Sequence, residues 1–149
     1  GTAIHEIGHV LCFFHTMVRY DRDSYIELIL KNLEVGGMAN YITVDKKYAD
    51  VFGLTYDYGS IMHYSETSGS DKGLLTIIAK EPYYQKTMGS AVISFSDIYM
   101  INEHYGCNGW TRCKNMSSSK RENEGYPHPR NCSVCICPSG YGGALCDRR

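Results

Sequence analysis

Apolar positions in the first eleven residues follow helical spacing. Ile4, Ile7 and Leu11 fall on one face together with Gly8, at i, i+3, i+4 and i+7, which predicts a helix from Thr2 to about Leu11. Asp21–Asp23 reads as a charged loop. Ile26–Leu30 is a short apolar run for which strand and helix are both open, and Gly36-Gly37 marks a turn. Residues 56–64 set aromatic and β-branched side chains around Gly59 and read as an irregular turn. Leu74–Ala79 has the composition of a strand. Ser94-x-x-Asp97 stands ahead of Ile98, Ile101 and Tyr105, which predicts a capped helix over about Ser96–His104. Met116–Glu124 is polar and is expected to be a loop. No internal repeat is present.

The pattern changes near Cys107. Residues 1–107 are rich in Tyr, Ile and Leu, whereas residues 108–149 hold Pro127, Pro129 and Pro138 and many glycines. The second stretch cannot bury much core by itself and is expected to rely on covalent staples. Six of the seven cysteines (Cys107, Cys113, Cys132, Cys135, Cys137 and Cys146) lie from residue 107 onwards, so a disulfide framework or a metal cluster is expected there. The apolar share of 43% is that of a globular chain. A net charge of −1 gives no electrostatic reason to expect nucleic acid as a partner. No apolar stretch approaches the ~18–20 residues of a membrane span. The chain opens on Gly1, without an initiator Met or a signal segment and only four residues before His5, and is expected to be a fragment or processed piece.

The chemistry lies in that first helix. His5-Glu6-Ile7-Gly8-His9 places two imidazoles four residues apart, about 40° apart in direction and ~6 Å apart in height, so both reach one cation from one helix face. Glu6, beside them, is placed to act as general base on a water held by the metal. Catalytic zinc takes three protein ligands and keeps one position open. His15 supplies the third ligand if the helix ends and the chain turns back. The bland reading is a helix with two structural histidines.

Three motifs in order carry a resemblance to the astacins, a branch of the metzincin zinc endopeptidases. The zinc motif is followed by Arg19-Tyr20-Asp21-Arg22-Asp23-Ser24-Tyr25. Ser60-Ile61-Met62-His63-Tyr64 matches the family's Met-turn and is led in by Tyr56-Asp57-Tyr58-Gly59. Ser94–Cys107 resembles the end of the catalytic domain. The resemblance implies an α+β fold: the C-terminal part of a zincin-like metzincin domain over residues 1–107. It implies one zinc ion on His5, His9 and His15, with Glu6 as general base and later proton donor. Met62 would be the floor beneath the metal, and Tyr64 a further ligand that swings away to stabilise the oxyanion. It implies secretion and protein or peptide substrates. His63 reads as a structural histidine, and Asp97 as either an outer partner of the site or a helix cap. Arg19, Asp21, Arg22 and Asp23 read as a solvated loop or as structural ion pairs.

Two positions depart from the family pattern. Cys12 stands where the family has a glycine at the end of the zinc helix. A residue with a Cβ held there in left-handed conformation costs about 1–2 kcal/mol. Thr16 stands where the family has a glutamate that anchors the mature N-terminus. The first part of the family's catalytic domain is absent, so this chain alone is expected to have little or no peptidase activity. A catalytically inactive relative that binds partners through its tail is the alternative.

Cys135-x-Cys137-Pro138, Gly140-Tyr141-Gly142-Gly143 and Cys146 resemble an EGF-like module, with residues 108–149 as its extent and extracellular proteins as its implied partners. Using all six cysteines, the module's pattern implies Cys107–Cys132, Cys113–Cys135 and Cys137–Cys146. Alternatively, Cys107 closes the catalytic domain, bonded to the absent part, and is unpaired here. Asn115-Met116-Ser117 and Asn131-Cys132-Ser133 are glycosylation sequons.

Overall fold

The computed structural model describes residues 1–107, 112–113 and 122–149. The Asn115 sequon and most of the expected loop at 116–124 lie outside them. The chain divides into two compact units, Gly1–Ser94 and Phe95–Arg149. This boundary groups the second long helix with the cysteine-rich tail.

The first unit opens with α1 (Thr2–Val10). Its end has a sequence-specific cause. Cys12 takes φ 64°, its N–H donates to His9 O, and Phe13 N–H donates back to Gly8 O, each at 3.0 Å. These paired bonds are a Schellman closure, which satisfies helix-end carbonyls and reverses the chain. The left-handed turn expected of Cys12 is therefore present without the usual glycine. Single 3₁₀ turns follow at Thr16–Val18 and Arg22–Ser24.

The apolar run after Tyr25 divides. Ile26–Leu28 is a strand, β1, and Leu30–Asn32 is a 3₁₀ turn. The expected strand at 74–79 is shorter than its composition suggests: only Ile77–Ala79 pairs, as β2, while Leu74 and Leu75 are exposed. β1 and β2 are antiparallel, with Ile26 opposite Ala79 and Leu28 opposite Ile77. The outer edge of β2 is met by one side chain. Ala79 N–H donates to Gln85 Oε1 at 2.8 Å, and Gln85 Nε2 donates to Ile77 O at 3.0 Å.

The core of this unit is built on Met17, Ile26, Ile77, Ala79 and Met88 together with tyrosines 41, 56 and 58. Tyr25 stacks on Tyr56 at 4.9 Å and Tyr58 on Tyr84 at 4.9 Å, and the Tyr58 hydroxyl donates to Tyr25 O at 2.8 Å. Such rings contribute large apolar area while their hydroxyls find partners.

In the second unit, α2 (Phe95–His104) begins one residue after Ser94, with Asp97 buried in its first turn. β3 (Tyr126–His128) and β4 (Asn131–Ile136) form an antiparallel hairpin with an irregularity at Pro127/His128. Tyr126 is fully buried against Phe95 and Tyr99 and accepts a hydrogen bond from Asn102 Nδ2 at 3.3 Å. Burial pushes its phenol up to about 12.

The disulfides are Cys113–Cys132 and Cys137–Cys146. The second is as the module pattern implies. Cys107–Cys132 and Cys113–Cys135 are not formed, because Cys132 bonds to Cys113. Cys107 is kept at the end of α2, where its N–H donates to Asn102 O at 2.8 Å, and its thiol is exposed. A Cβ at Gly125 would collide with the Cys146 sulfur, so glycine there lets the backbone lie against the bridge.

Candidate metal centre

The sequence-predicted ligands converge. His5 Nε2 and His9 Nε2 each lie 3.1 Å from His15 Nε2, and one nitrogen from each of the three rings falls within 4.8 Å of the others. Four-residue spacing accounts for the first two. The third depends on the Schellman turn at Cys12, which sends the chain back so that His15 faces α1.

The opposite nitrogens fix the protonation. His5 Nδ1 lies 2.7 Å from Ile61 O and His9 Nδ1 2.8 Å from Phe13 O. Carbonyls only accept, so both Nδ1 atoms carry the proton and both Nε2 atoms present lone pairs. His15 Nε2 cannot donate to both, so at least one 3.1 Å approach sets lone pair against lone pair. A cation among the three relieves that repulsion. Two nitrogens at ~2.05 Å from a tetrahedral zinc are about 3.3 Å apart, close to the observed spacing. The donor set therefore fits zinc. Burial, then the neighbouring His9, His5 and His63, holds His15 down at about 4, so its ring is neutral and able to ligate near pH 7.

The turn at residues 60–64 is tied to the segment that carries the triad and braced within itself. Besides Ile61 O meeting His5, Thr16 N–H donates to Met62 O at 3.0 Å, and Met62 N–H to Ser60 Oγ at 3.0 Å. Met62 is buried beneath α1 at Gly8, where an added Cβ would stand 2.6 Å from its Sδ. Glycine at position 8 is what allows the helix to lie on the methionine.

Tyr64 packs edge-on against His15, ring centroids 4.5 Å apart, and against Tyr41 at 5.8 Å. Burial raises its phenol above the usual value, which keeps the hydroxyl protonated as a donor. Glu6 is exposed on α1, directly after His5. His63 is buried apart from the triad. Its Nδ1 lies 2.7 Å from Tyr64 O and its Nε2 2.7 Å from the Tyr56 hydroxyl. Burial lowers its basicity.

The charged segment after the triad is a brace. Arg19 makes a two-pronged bond to Asp21 at 2.8 and 2.9 Å and donates to Thr55 O at 3.1 Å. That bond holds the Asp21 carboxyl below the usual range. Arg22 donates to Met17 O and Tyr41 O at 2.8 and 2.6 Å and pairs with Asp23 at 2.9 Å. Sequence reasoning missed the carbonyls of Phe13 and Ile61, which leave no mark in side-chain identity. It also missed Tyr56 as the partner of His63, although the aromatic density around position 58 was a signal.

Residues 1–106 match the family model described as Astacin, a family of peptidases. The chain is 49% identical over 152 residues to zinc metalloproteinase nas-31 of Caenorhabditis elegans, covering 100% of this chain and 24% of that protein. It is 42% identical over 147 residues to zinc metalloproteinase nas-23 of the same organism, covering 98% and 27%. It thus spans about a quarter of the length of these relatives. Among solved structures it is similar to high choriolytic enzyme 1, a hatching enzyme zinc-protease from Oryzias latipes (medaka fish). There the TM-score is 0.62 and the identity 33%, over 69% of this chain and 50% of that one.

Proposed function

This chain belongs to the astacin family of peptidases, and from that premise we propose that it carries the zinc-holding and proton-handling residues of a metalloendopeptidase. His5, His9 and His15 hold one zinc ion through their Nε2 atoms. Bound zinc supplies a Lewis acid that polarises the scissile carbonyl and lowers the pKa of water towards ~7. The Nδ1 bonds to Ile61 O and Phe13 O orient His5 and His9 and keep them in the ligating tautomer. Glu6 takes the proton of the attacking water and returns it to the leaving amine. The Tyr64 hydroxyl, in the protonated state its burial favours, would donate to the developing oxyanion and would be a further ligand to the bound zinc. Met62, in contact with the helix at Gly8, keeps the floor of the site apolar.

The observation that carries this reading is the pair of 3.1 Å approaches to His15 Nε2 from His5 and His9, whose own ring protons are committed to the carbonyls of Ile61 and Phe13. The test has two parts. Metal analysis of the purified chain should find one zinc, lost in His9→Ala. In the protein that carries these residues, Glu6→Gln should keep the zinc and lose about 10²–10⁴-fold in peptide hydrolysis. Hydrolysis surviving Glu6→Gln, or a chain that takes up no zinc, overturns the assignment; zinc without hydrolysis in the unaltered protein turns it towards an inactive binding relative.

We read residues 108–149 as an EGF-like module that contacts extracellular proteins. Support comes from the β3–β4 hairpin and from two disulfides, which persist in oxidising compartments. The same chemistry supports reading the product as secreted. Among the described residues no helix is long and apolar enough to cross a membrane.

A further inference from the structure

The buried pair Tyr56 and His63 lies outside the metal triad, yet it ends on the backbone of the residue assigned to the oxyanion. His63 is 3% exposed and Tyr56 6%. The Tyr64 carbonyl can only accept, so the proton of His63 lies on Nδ1 and its Nε2 is a lone pair; the Tyr56 hydroxyl must therefore donate to it. This single arrangement satisfies both ring nitrogens in the neutral ring, and burial makes either unmet partner expensive. Tyr56 is itself fixed, stacked on Tyr25 at 4.9 Å and covered by the Arg19 guanidinium at 5.4 Å, which is locked by Asp21. The path runs from Asp21 through Arg19, Tyr56 and His63 to Tyr64 O. On the other side of the turn, His5 grips Ile61 O and Thr16 grips Met62 O. The backbone on both sides of the Tyr64 phenol is thus held by separate partners, His5 and Thr16 on one side and this pair on the other.

We propose that Tyr56 and His63 are positioning residues for the hydrolysis: through the Tyr64 carbonyl they set where the Tyr64 phenol stands, and they touch neither substrate nor metal. The inference rests on the assignment of Tyr64 under the proposed function. Tyr56→Phe removes one hydroxyl and keeps the ring, its stack and its cover. In the protein that carries these residues it should lower kcat about tenfold, since displacement of a reacting group by ~1 Å costs up to a hundredfold. KM should stay within about twofold and zinc content should not change, the pattern of an interaction made only in the transition state. The decisive measurement is a double-mutant cycle with Tyr64→Phe. If Tyr56 acts only through Tyr64, then Tyr56→Phe in the Tyr64→Phe background should change kcat by less than about twofold. His63→Gln, whose amide can donate to Tyr64 O and accept from Tyr56, should retain more kcat than His63→Phe. Equal fold-losses from Tyr56→Phe in both backgrounds, or an unchanged kcat where Tyr64→Phe does lower it, overturn the proposal. If Tyr64→Phe itself leaves kcat unchanged, the assignment of Tyr64 fails instead.

Discussion

The turn at residues 60–64 and the hairpin at residues 126–136 are both irregular stretches, and they keep their shapes by different means. Around the turn, side chains from α1, the Thr16 backbone and the buried Tyr56–His63 pair reach in to bind successive main-chain groups. Around the hairpin, among the described residues, the buried ring of Tyr126 is supplemented by Cys113–Cys132 and Cys137–Cys146. The first region has enough chain around it to build a hydrogen-bonded shell. The second has too little apolar surface and substitutes sulfur. Shape held by polar contacts can be tuned atom by atom for chemistry, whereas shape held by cross-links tolerates a poor core.

That contrast can be broken most forcefully at the cross-links. Replacing Cys137 and Cys146 together by serine should remove about 2–5 kcal/mol from the stability of the second unit. Zinc uptake by the triad should not change, and denaturant unfolding alongside metal analysis checks both halves of the statement. A smaller effect should come from Gly8→Ala, which forces a Cβ against Met62 Sδ and should cost about 1–3 kcal/mol, the usual range for overpacking. Its loss should appear in the unfolding of the first unit and leave the second untouched. In the opposite direction, Cys12→Gly relieves a left-handed residue at φ 64° and should stabilise the first unit by about 1 kcal/mol in a thermal melt.

The shallowest effect is pH dependence. The folded metal-free chain holds His15 at about 4 against an ordinary 6.5, and His63 is also lowered. Between those values the unfolded chain binds more protons, so stability rises with pH. This contribution is complete above about 6.5 and is lost as pH falls towards about 4. Because His15 is partly solvated the slope should be modest; denaturant midpoints of the metal-free chain across that window measure it, and a slope of opposite sign contradicts the burial argument.

The two regions also differed in how far they could be read in advance. The reach of His5 and His9 to one cation follows from helix geometry, and a left-handed Cys12 was implied by the family glycine whose place it takes. The first was legible because it depends on neighbours in sequence, the second because the resemblance marked the position. The partners of the Nδ1 atoms were not, since Ile61 and Phe13 contribute only carbonyls and any residue has one. β2 is shorter than its apolar run because Leu74 and Leu75 lie outside the ladder, with Asn32 Nδ2 donating to Leu75 O at 2.7 Å. Composition alone could not divide that run. In the tail, the residue types announced disulfides, but their connectivity depended on Cys107 remaining at the end of α2, a matter of folded distance.

Gln85 has a further consequence. On the proposed function the chain meets extended polypeptides, whose backbones can add as an extra strand wherever donors and acceptors stand bare. By spanning Ala79 N–H and Ile77 O with one amide, Gln85 imitates such a strand and blocks that docking place. A single glutamine thus separates what the molecule is offered from what it would otherwise accumulate upon itself.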